Sequence, residues 1–211
     1  MDYSKPTLLV VSGPNGAGKS THIESMLPEL FDGVPPFDRD LTRTAFEKEL
    51  QGKGLTPEEI SSQSSLMMEN YLSTKINDAI TNKQHFVLET PLSHPDYWRY
   101  IDRFENAGYQ IQLNYLCLDG ILDCEQRVRQ RVKEGGHAVD ARTIKGVYEL
   151  NLKFINDYWE TFHVICLYDG MAKPTLLVKL ESKNVVMMDK KVLKKRWAKK
   201  GLPNIFNLLK T

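Results

Sequence analysis

The chain is poor in cysteine. Cys117, Cys124 and Cys166 are its only three, and no two of them form a Cys-x-x-Cys pair. An odd, scattered set of thiols beside apolar runs argues against a disulfide scaffold or a zinc site, and predicts buried free thiols in a reducing compartment. Long hydrophobic stretches are also missing. The first residues lead into a short apolar run, Thr7 to Val11, too brief for a signal-peptide core or a membrane span. A cytoplasmic location and no membrane association are therefore expected. Charge of one sign is lacking overall: 28 Lys/Arg stand against 27 Asp/Glu, a net of +1. No global field points to nucleic acid, which makes a nucleic-acid partner a poor fit. No repeat, low-complexity tract or long linker occurs. What remains is 211 residues with 41% hydrophobic content, enough for one α/β domain with a proper core.

The even charge balance hides an asymmetry. Residues 181–211 hold nine Lys/Arg and two acidic residues, leaving residues 1–180 with 19 basic and 25 acidic side chains. The chain accordingly reads as a main domain over 1–180 and a basic C-terminal extension over 181–211, packed on the same domain. The stretch Lys190 to Lys199 reads as a basic helix with Val192, Leu193 and Trp197 docked on the body. An RNA- or lipid-binding role for it is the weaker alternative.

Apolar, β-rich runs alternate with helical patterns. Strands are expected at Thr7–Ser12, around Pro35–Arg39, and at His85–Glu89, Tyr109–Leu118 and Phe162–Tyr168. A hairpin is expected from Thr175–Leu180 and Val185–Met188. Helices are expected from Lys19 to about Leu27, Leu41–Leu50, Thr56 to about Thr81, Asp96–Ala107, Leu122–Glu134, Ala141–Asp157 and Pro203–Lys210. The third opens with Thr56-Pro57-Glu58-Glu59, an N-cap, a first-turn proline and a capping-box glutamate. Ile60, Leu66 or Met67, Tyr71, Ile76 and Ile80 are expected on its inner side. Alternation of this kind predicts a three-layer α/β/α fold with a mostly parallel central sheet. Ligands on such sheets bind outside the carboxyl ends of the strands. Chemistry is to be sought just after Ser12, Phe37, Leu88 and Leu118.

After Ser12 stands Gly13-Pro14-Asn15-Gly16-Ala17-Gly18-Lys19-Ser20-Thr21. It satisfies G-x-x-x-x-G-K-[ST] with a strand before it and a helix after it. Glycines let backbone N–H groups turn onto phosphates without a Cβ in the way. In such a loop Lys19 reaches the β- and γ-phosphates and Ser20 ligates Mg²⁺, so ATP and Mg²⁺ are the expected cofactors. A transporter-type ATPase needs an LSGGQ-like loop, and a GTPase needs N-K-x-D; neither is present.

Three further features point to a small-molecule kinase. Asp40, in Phe37-Asp38-Arg39-Asp40, stands where an acceptor hydroxyl needs a carboxylate to take its proton; its plainer role is to cap the next helix. Glu89 ends the third strand, where it can orient metal-bound water, hold an acceptor, or simply be solvated. Arg127 and Arg131 share a helix face before Gly135-Gly136-His137, while Arg129 points elsewhere. The pair suits either a kinase-like lid over a triphosphate or a solvated basic face.

The ordered set GPNGAGKST, FDRD, LET, R-x-x-x-R-x-x-x-GGH and LYD, over about residues 6 to 170, resembles the zeta-toxin-like kinases. The resemblance is to the stand-alone bacterial branch with a GPNGAGK loop and a GGH lid. It implies a P-loop kinase fold and ATP/Mg²⁺-dependent phosphorylation of a small-molecule hydroxyl. The implied acceptor is a sugar nucleotide such as UDP-N-acetylglucosamine, or a related nucleotide. Carried over, Lys19 and Ser20 bind phosphate and Mg²⁺, Asp40 is the general base, Glu89 and Thr90 are acceptor- and metal-side residues, and Arg127 and Arg131 are lid arginines. It leaves room for an antitoxin-like partner. Two departures stand out. Glu89-Thr90-Pro91 replaces Glu-Thr-Thr, and Gly146-Val147-Tyr148 replaces Arg-Arg-Tyr. The second shifts a phosphate-gripping task toward Arg142, Lys145 or Lys153. Both favour the alternative of an ATP-binding regulatory protein without kinase activity. His94, Tyr97, Trp98 and His137 are lesser candidates for the pocket.

Overall fold

The computed structural model describes residues 2, 4–136 and 138–210; His137 lies outside them. Strand β1 (Thr7–Ser12) is buried at every position. A strand covered on both faces belongs in the middle of a parallel sheet, and β1 lies there. Among the described residues seven strands run in the order β2-β3-β1-β4-β5-β6-β7. Besides β1 they are β2 (Phe37–Asp38), β3 (Phe86–Glu89), β4 (Gln110–Cys117), β5 (Val164–Asp169), β6 (Thr175–Glu181) and β7 (Asn184–Met188). The first five in space are parallel. β6 and β7 add an antiparallel hairpin at one edge. Its two-residue turn, Ser182-Lys183, holds both residues at positive φ, 48° and 67°. That backbone matches the right-handed twist of the strands it joins.

The pleat of β1 divides the core. Leu8 and Val10 face one cluster, with side chains from α3 (Pro57–Thr81) and α4 (Pro95–Asn106). Leu9 and Val11 face the other, with Ala17, Ile23 and two residues of α5 (Ile121–Lys133), Cys124 and Val128. The remaining helices are α1 (Lys19–His22), α2 (Arg39–Leu50), α6 (Ala141–Asp157) and α7 (Pro203–Leu208). The fold is therefore the expected α/β arrangement, with a mostly parallel central sheet and helices on both sides. All three cysteines are buried and free. No helix among the described residues is long and apolar enough to cross a membrane.

Local differences from the sequence reading have physical causes. The helix after the phosphate loop stops after one turn, and Glu24–Met26 tightens into a 3₁₀ turn. Pro28 holds the preceding Leu27 in an extended conformation, which a helix cannot use. On α3 the buried stripe is Ser64, Met68, Leu72, Ile76 and Ala79, while Leu66 is 63% and Tyr71 44% exposed. Ser64 and Ala79 take inner positions that a count of large apolar residues overlooks, and Tyr71 lies outward, its ring tilted against Phe37 and edge-on to Phe46 of the neighbouring elements. The basic segment is helical in two short pieces, a 3₁₀ turn at Lys190–Lys194 and a π-type turn at Trp197–Gly201. Val192, Trp197 and Ala198 are pinned in the core there, which bends the backbone away from a continuous amphipathic rod.

The capping box of α3 is complete: Thr56 Oγ1 accepts from Glu59 N, and Thr56 N donates to Glu59 Oε2. Thr56→Ala is expected to lower stability by about 1 kcal/mol, read from the urea-unfolding midpoint with an unchanged m-value.

Candidate active site

The loop from Gly13 to Thr21 is wedged between the end of β4 and the face of α5. A Cβ on Gly13 would lie 2.6 Å from the Leu116 carbonyl oxygen. One on Gly16, at φ +77°, would lie 3.0 Å from both Arg127 Cβ and the Cys124 carbonyl oxygen. Only glycine fits, and the backbone is thereby free to line an anion cradle. Pro14 and Ala17 are buried, Gly18 caps α1 from the left-handed region, and Ser20 and Thr21 are exposed. Lys19 Nζ donates to the Gly13 and Pro14 carbonyls at 3.1 and 3.3 Å, which holds the ammonium over the loop. Asn15 Oδ1 is buried with no hydrogen-bond partner.

Ser20 brings the loop to the carboxylates. Its Oγ lies 3.0 Å from Asp38 Oδ2 and 3.1 Å from Glu89 Oε1. One hydroxyl proton serves two acceptors, so this is a tight oxygen cluster with a surplus of negative charge. β2 and β3 set it up, since Asp38 and Glu89 are register partners at their carboxyl ends. Asp38 also caps α2, accepting from Leu41 N through its other oxygen at 3.0 Å. The capping role considered for Asp40 therefore belongs to Asp38. Asp40 sits in the first turn of α2, exposed. It lines a small cleft with Asn15, Lys19, Glu89, Thr90, Pro91 and Val147.

Glu89 is 8% exposed. Burial is the main force pushing its carboxyl up to about 7; Lys19 opposes the rise and Asp38 adds to it. Among the described residues no group of three or more His, Cys, Asp or Glu could hold a metal ion. One hydroxyl and two carboxylates are instead the hard, partial donor set that suits Mg²⁺, which keeps waters and leans on substrate phosphates.

Thr90 is 1% exposed. Its hydroxyl accepts from Arg39 Nη1 at 3.4 Å and donates to the Pro91 carbonyl at 3.2 Å. Arg39 is itself buried and paired with Glu69, which also accepts from Arg99 and from the Tyr100 hydroxyl. The Arg39 guanidinium lies 4.5 Å from the centre of the Tyr97 ring and 5.3 Å from that of Tyr100. Burial alone would push Glu69 upward, but Tyr100 and Arg39 outweigh it and hold its carboxyl below the ordinary range. Arg39 and Thr90 bring this network to the cleft lining, and sequence reading missed it. Of the aromatic candidates, Tyr97 supports Arg39, Trp98 turns inward to the Leu92 carbonyl, and His94 caps α4.

Arg127 reaches the phosphate loop. Its Nη2 donates to the Met171 carbonyl at 2.7 Å and its Nη1 to the Gly16 carbonyl at 3.5 Å. Arg131 lies one turn further on, exposed, and its carbonyl accepts from Gly136 N at 2.9 Å as the chain turns back. Lys145 and Lys153 pair with Glu149 and Asp157 on α6. Neither lines the cleft, and nor does Arg142. Val147 and Pro91 do, so both departures fall on its wall.

A search of curated proteins finds no match. Among solved structures, a chain of the AvrRxo1-ORF1:AvrRxo1-ORF2 complex with sulphate ions superposes with a TM-score of 0.68 at 14% identity, over 90% of this chain and 63% of that one. The same complex with ATP gives 0.67 at 15% identity, with the same coverage. This chain thus spans under two thirds of that relative's length. The PezAT chromosomal toxin-antitoxin system of Streptococcus pneumoniae gives 0.60 at 15% identity, over 98% of this chain and 88% of that one. Identities this low establish a shared fold. The family itself is set by the zeta toxin model, which matches residues 1–164. With the glycine loop, its lysine and the strand-end carboxylates all inside that stretch, the chain belongs to the zeta toxin family.

Proposed function

We propose that the protein is an ATP- and Mg²⁺-dependent phosphotransferase acting on a hydroxyl of a small molecule, with a sugar nucleotide such as UDP-N-acetylglucosamine as the leading acceptor class. Family membership supports the coarser reading of a nucleotide-dependent kinase. The observation that carries the proposal is the Ser20–Asp38–Glu89 oxygen cluster beside a lysine-bearing glycine loop. When bound, Mg²⁺ supplies charge neutralisation between phosphates; Ser20, Asp38 and Glu89 are the groups that would hold it. Lys19 steadies the terminal phosphate, and Arg127 and Arg131 face the charge that spreads over it during transfer. Asp40, exposed in the same cleft, takes the acceptor's proton. Pro91 and Val147 give the acceptor an apolar wall and fewer hydrogen bonds than a threonine and an arginine offer. An antitoxin-like protein partner belongs to the same reading, since PezAT is a toxin-antitoxin system.

Mass spectrometry after incubation with Mg·ATP and a panel of nucleotide sugars tests this. One phosphorylated product is expected. Asp40→Asn is expected to slow its formation by about 10²-fold. Near wild-type formation removes Asp40 from the base role, and tight ATP binding without any product supports the regulatory alternative.

A further inference from the structure

The last basic stretch of the chain holds one lysine unlike its neighbours. Lys195 Nζ lies 2.8 Å from Asp119 Oδ1 and 2.8 Å from Asp169 Oδ2, with its side chain only 18% exposed. Nearby Lys191, 75% exposed, reaches only Asp189, at 3.7 Å. The backbone on both sides of Lys195 is fixed. Lys195 N donates to the Val192 carbonyl, Val192 is fully buried, and Trp197 is 2% exposed. Burial works against the ammonium charge, but the two carboxylates more than compensate and hold it above the ordinary lysine range.

The two partners stand at the carboxyl ends of adjacent parallel strands. Asp119 follows β4, and Asp169 ends β5 in register with Cys117. From Asp169 a chain of contacts runs inward. Its Oδ1 accepts from Met171 N at 3.0 Å, and Met171 Sδ lies 3.5 Å from Asp119 N. The Met171 carbonyl accepts from Arg127, whose other nitrogen reaches Gly16 of the phosphate loop. A residue of the basic extension is thus linked to the anion cradle through four named contacts.

Topology says what that side of the cradle receives. β3 and β2 flank β1 on one side and carry Glu89 and Asp38, with Asp40 just beyond β2 in the first turn of α2; β4 and β5 flank it on the other. A triphosphate whose terminal group points at the carboxylate side carries its nucleoside toward the β4/β5 side. There the Asp169–Met171 loop meets α5, the Met171 carbonyl accepting from Arg127 at 2.7 Å. Resting on the proposed function, we infer that Lys195 is a positioning residue that sets the Asp169–Met171 wall against the nucleoside of bound ATP. Asp169, Met171 and Lys195 all lie beyond the residue 1–164 stretch that the family model matches.

The test compares ATP with inorganic tripolyphosphate, both with Mg²⁺, by titration calorimetry on the full chain. Tripolyphosphate needs only the loop, whereas ATP needs the loop and the wall. Lys195→Met is expected to raise the ATP Kd about tenfold, the size of effect that follows loss of charge-assisted bonds behind a binding surface. The tripolyphosphate Kd should move less than about twofold, because the last link of the chain, Arg127 to Gly16, is long at 3.5 Å, while Lys19 is held by the loop's own Gly13 and Pro14 carbonyls. Lys195→Arg keeps the charge and should restore most of the ATP affinity. Asp169→Asn removes one bond without changing shape and should weaken ATP in the same direction, which keeps the test open if Lys195→Met folds poorly. An unchanged ATP Kd in both Lys195→Met and Asp169→Asn overturns the inference, as does an equal loss for both ligands. Lys19→Ala run in parallel separates the two ideas. If the wild-type protein binds ATP and Lys19→Ala does not, while Lys195→Met matches wild type, only the role of Lys195 falls. If the wild-type protein binds neither ligand, the underlying kinase reading falls with it.

Discussion

Lys19→Ala should abolish phosphoryl transfer, with a loss of roughly 10³-fold or more. In the free protein the ammonium is held over the loop by the Gly13 and Pro14 carbonyls. It is already placed where a phosphate would meet it, so little reorganisation is needed at the moment of transfer. Alanine removes the point charge and leaves two carbonyl dipoles facing the incoming anion. Lys19→Arg should not rescue, because a planar guanidinium cannot occupy the position of a compact ammonium. A second consequence can be read without substrate. Lys19 holds the Glu89 carboxyl down against burial, so its loss should move that carboxyl further up. Steady-state turnover and nucleotide titration check the first effect, and carboxyl-resolved NMR titration checks the second. Turnover within tenfold of wild type would exclude the loop lysine from catalysis.

Glu89→Gln should make the ligand-free protein more stable at pH 8 by ~3 kcal/mol, and leave it unchanged near pH 4. The Glu89 carboxyl sits at about 7 in the fold, against an ordinary value of 4.5. Between those values the folded chain binds more protons than the unfolded chain. Stability therefore falls as pH rises from about 4.5 to 7 and is flat above that. Glutamine imitates the protonated side chain at every pH and removes that slope. Urea unfolding of both proteins across this range makes the comparison. A stability difference that does not change with pH would show that Glu89 is not the buried titrating group. The same substitution should damage catalysis, since a hard cation takes the ionised carboxylate. Mg·ATP binding near pH 7 should accordingly release a proton, visible as a buffer-dependent binding enthalpy.

The readable parts of this protein were those whose constraints are local. Gly13 to Thr21 is a contiguous stretch in which each residue type answers a backbone or charge requirement. Thr56 to Glu59 is a cap written in four letters. The alternation of strands and helices predicted the layers, and the strand ends pointed to Glu89. What could not be read depends on partners far apart in the chain. Arg39 meets Glu69 across 30 positions, and Lys195 meets Asp119 across 76; no spacing rule connects them. Asp38 was visible in the same tetrapeptide as Asp40, but only the register of β2 against β3 shows which of the two meets Ser20. The inner face of α3 is only partly legible: Ile76 turns inward as expected, but Ser64 and Ala79 carry little hydrophobic signal and Tyr71 lies outward.

The order in which the chain is made gives the late anchoring of its basic stretch a further meaning. Val192, Trp197, Leu202 and Ile205 fill core positions, yet they leave the ribosome after every element of the cradle. A nascent chain has its glycine loop and strand-end carboxylates exposed well before the lysine that braces the opposite wall has been synthesised. The brace proposed for Lys195 is therefore set only after the segments that build the cradle have been made, between core positions that Val192 and Trp197 fill.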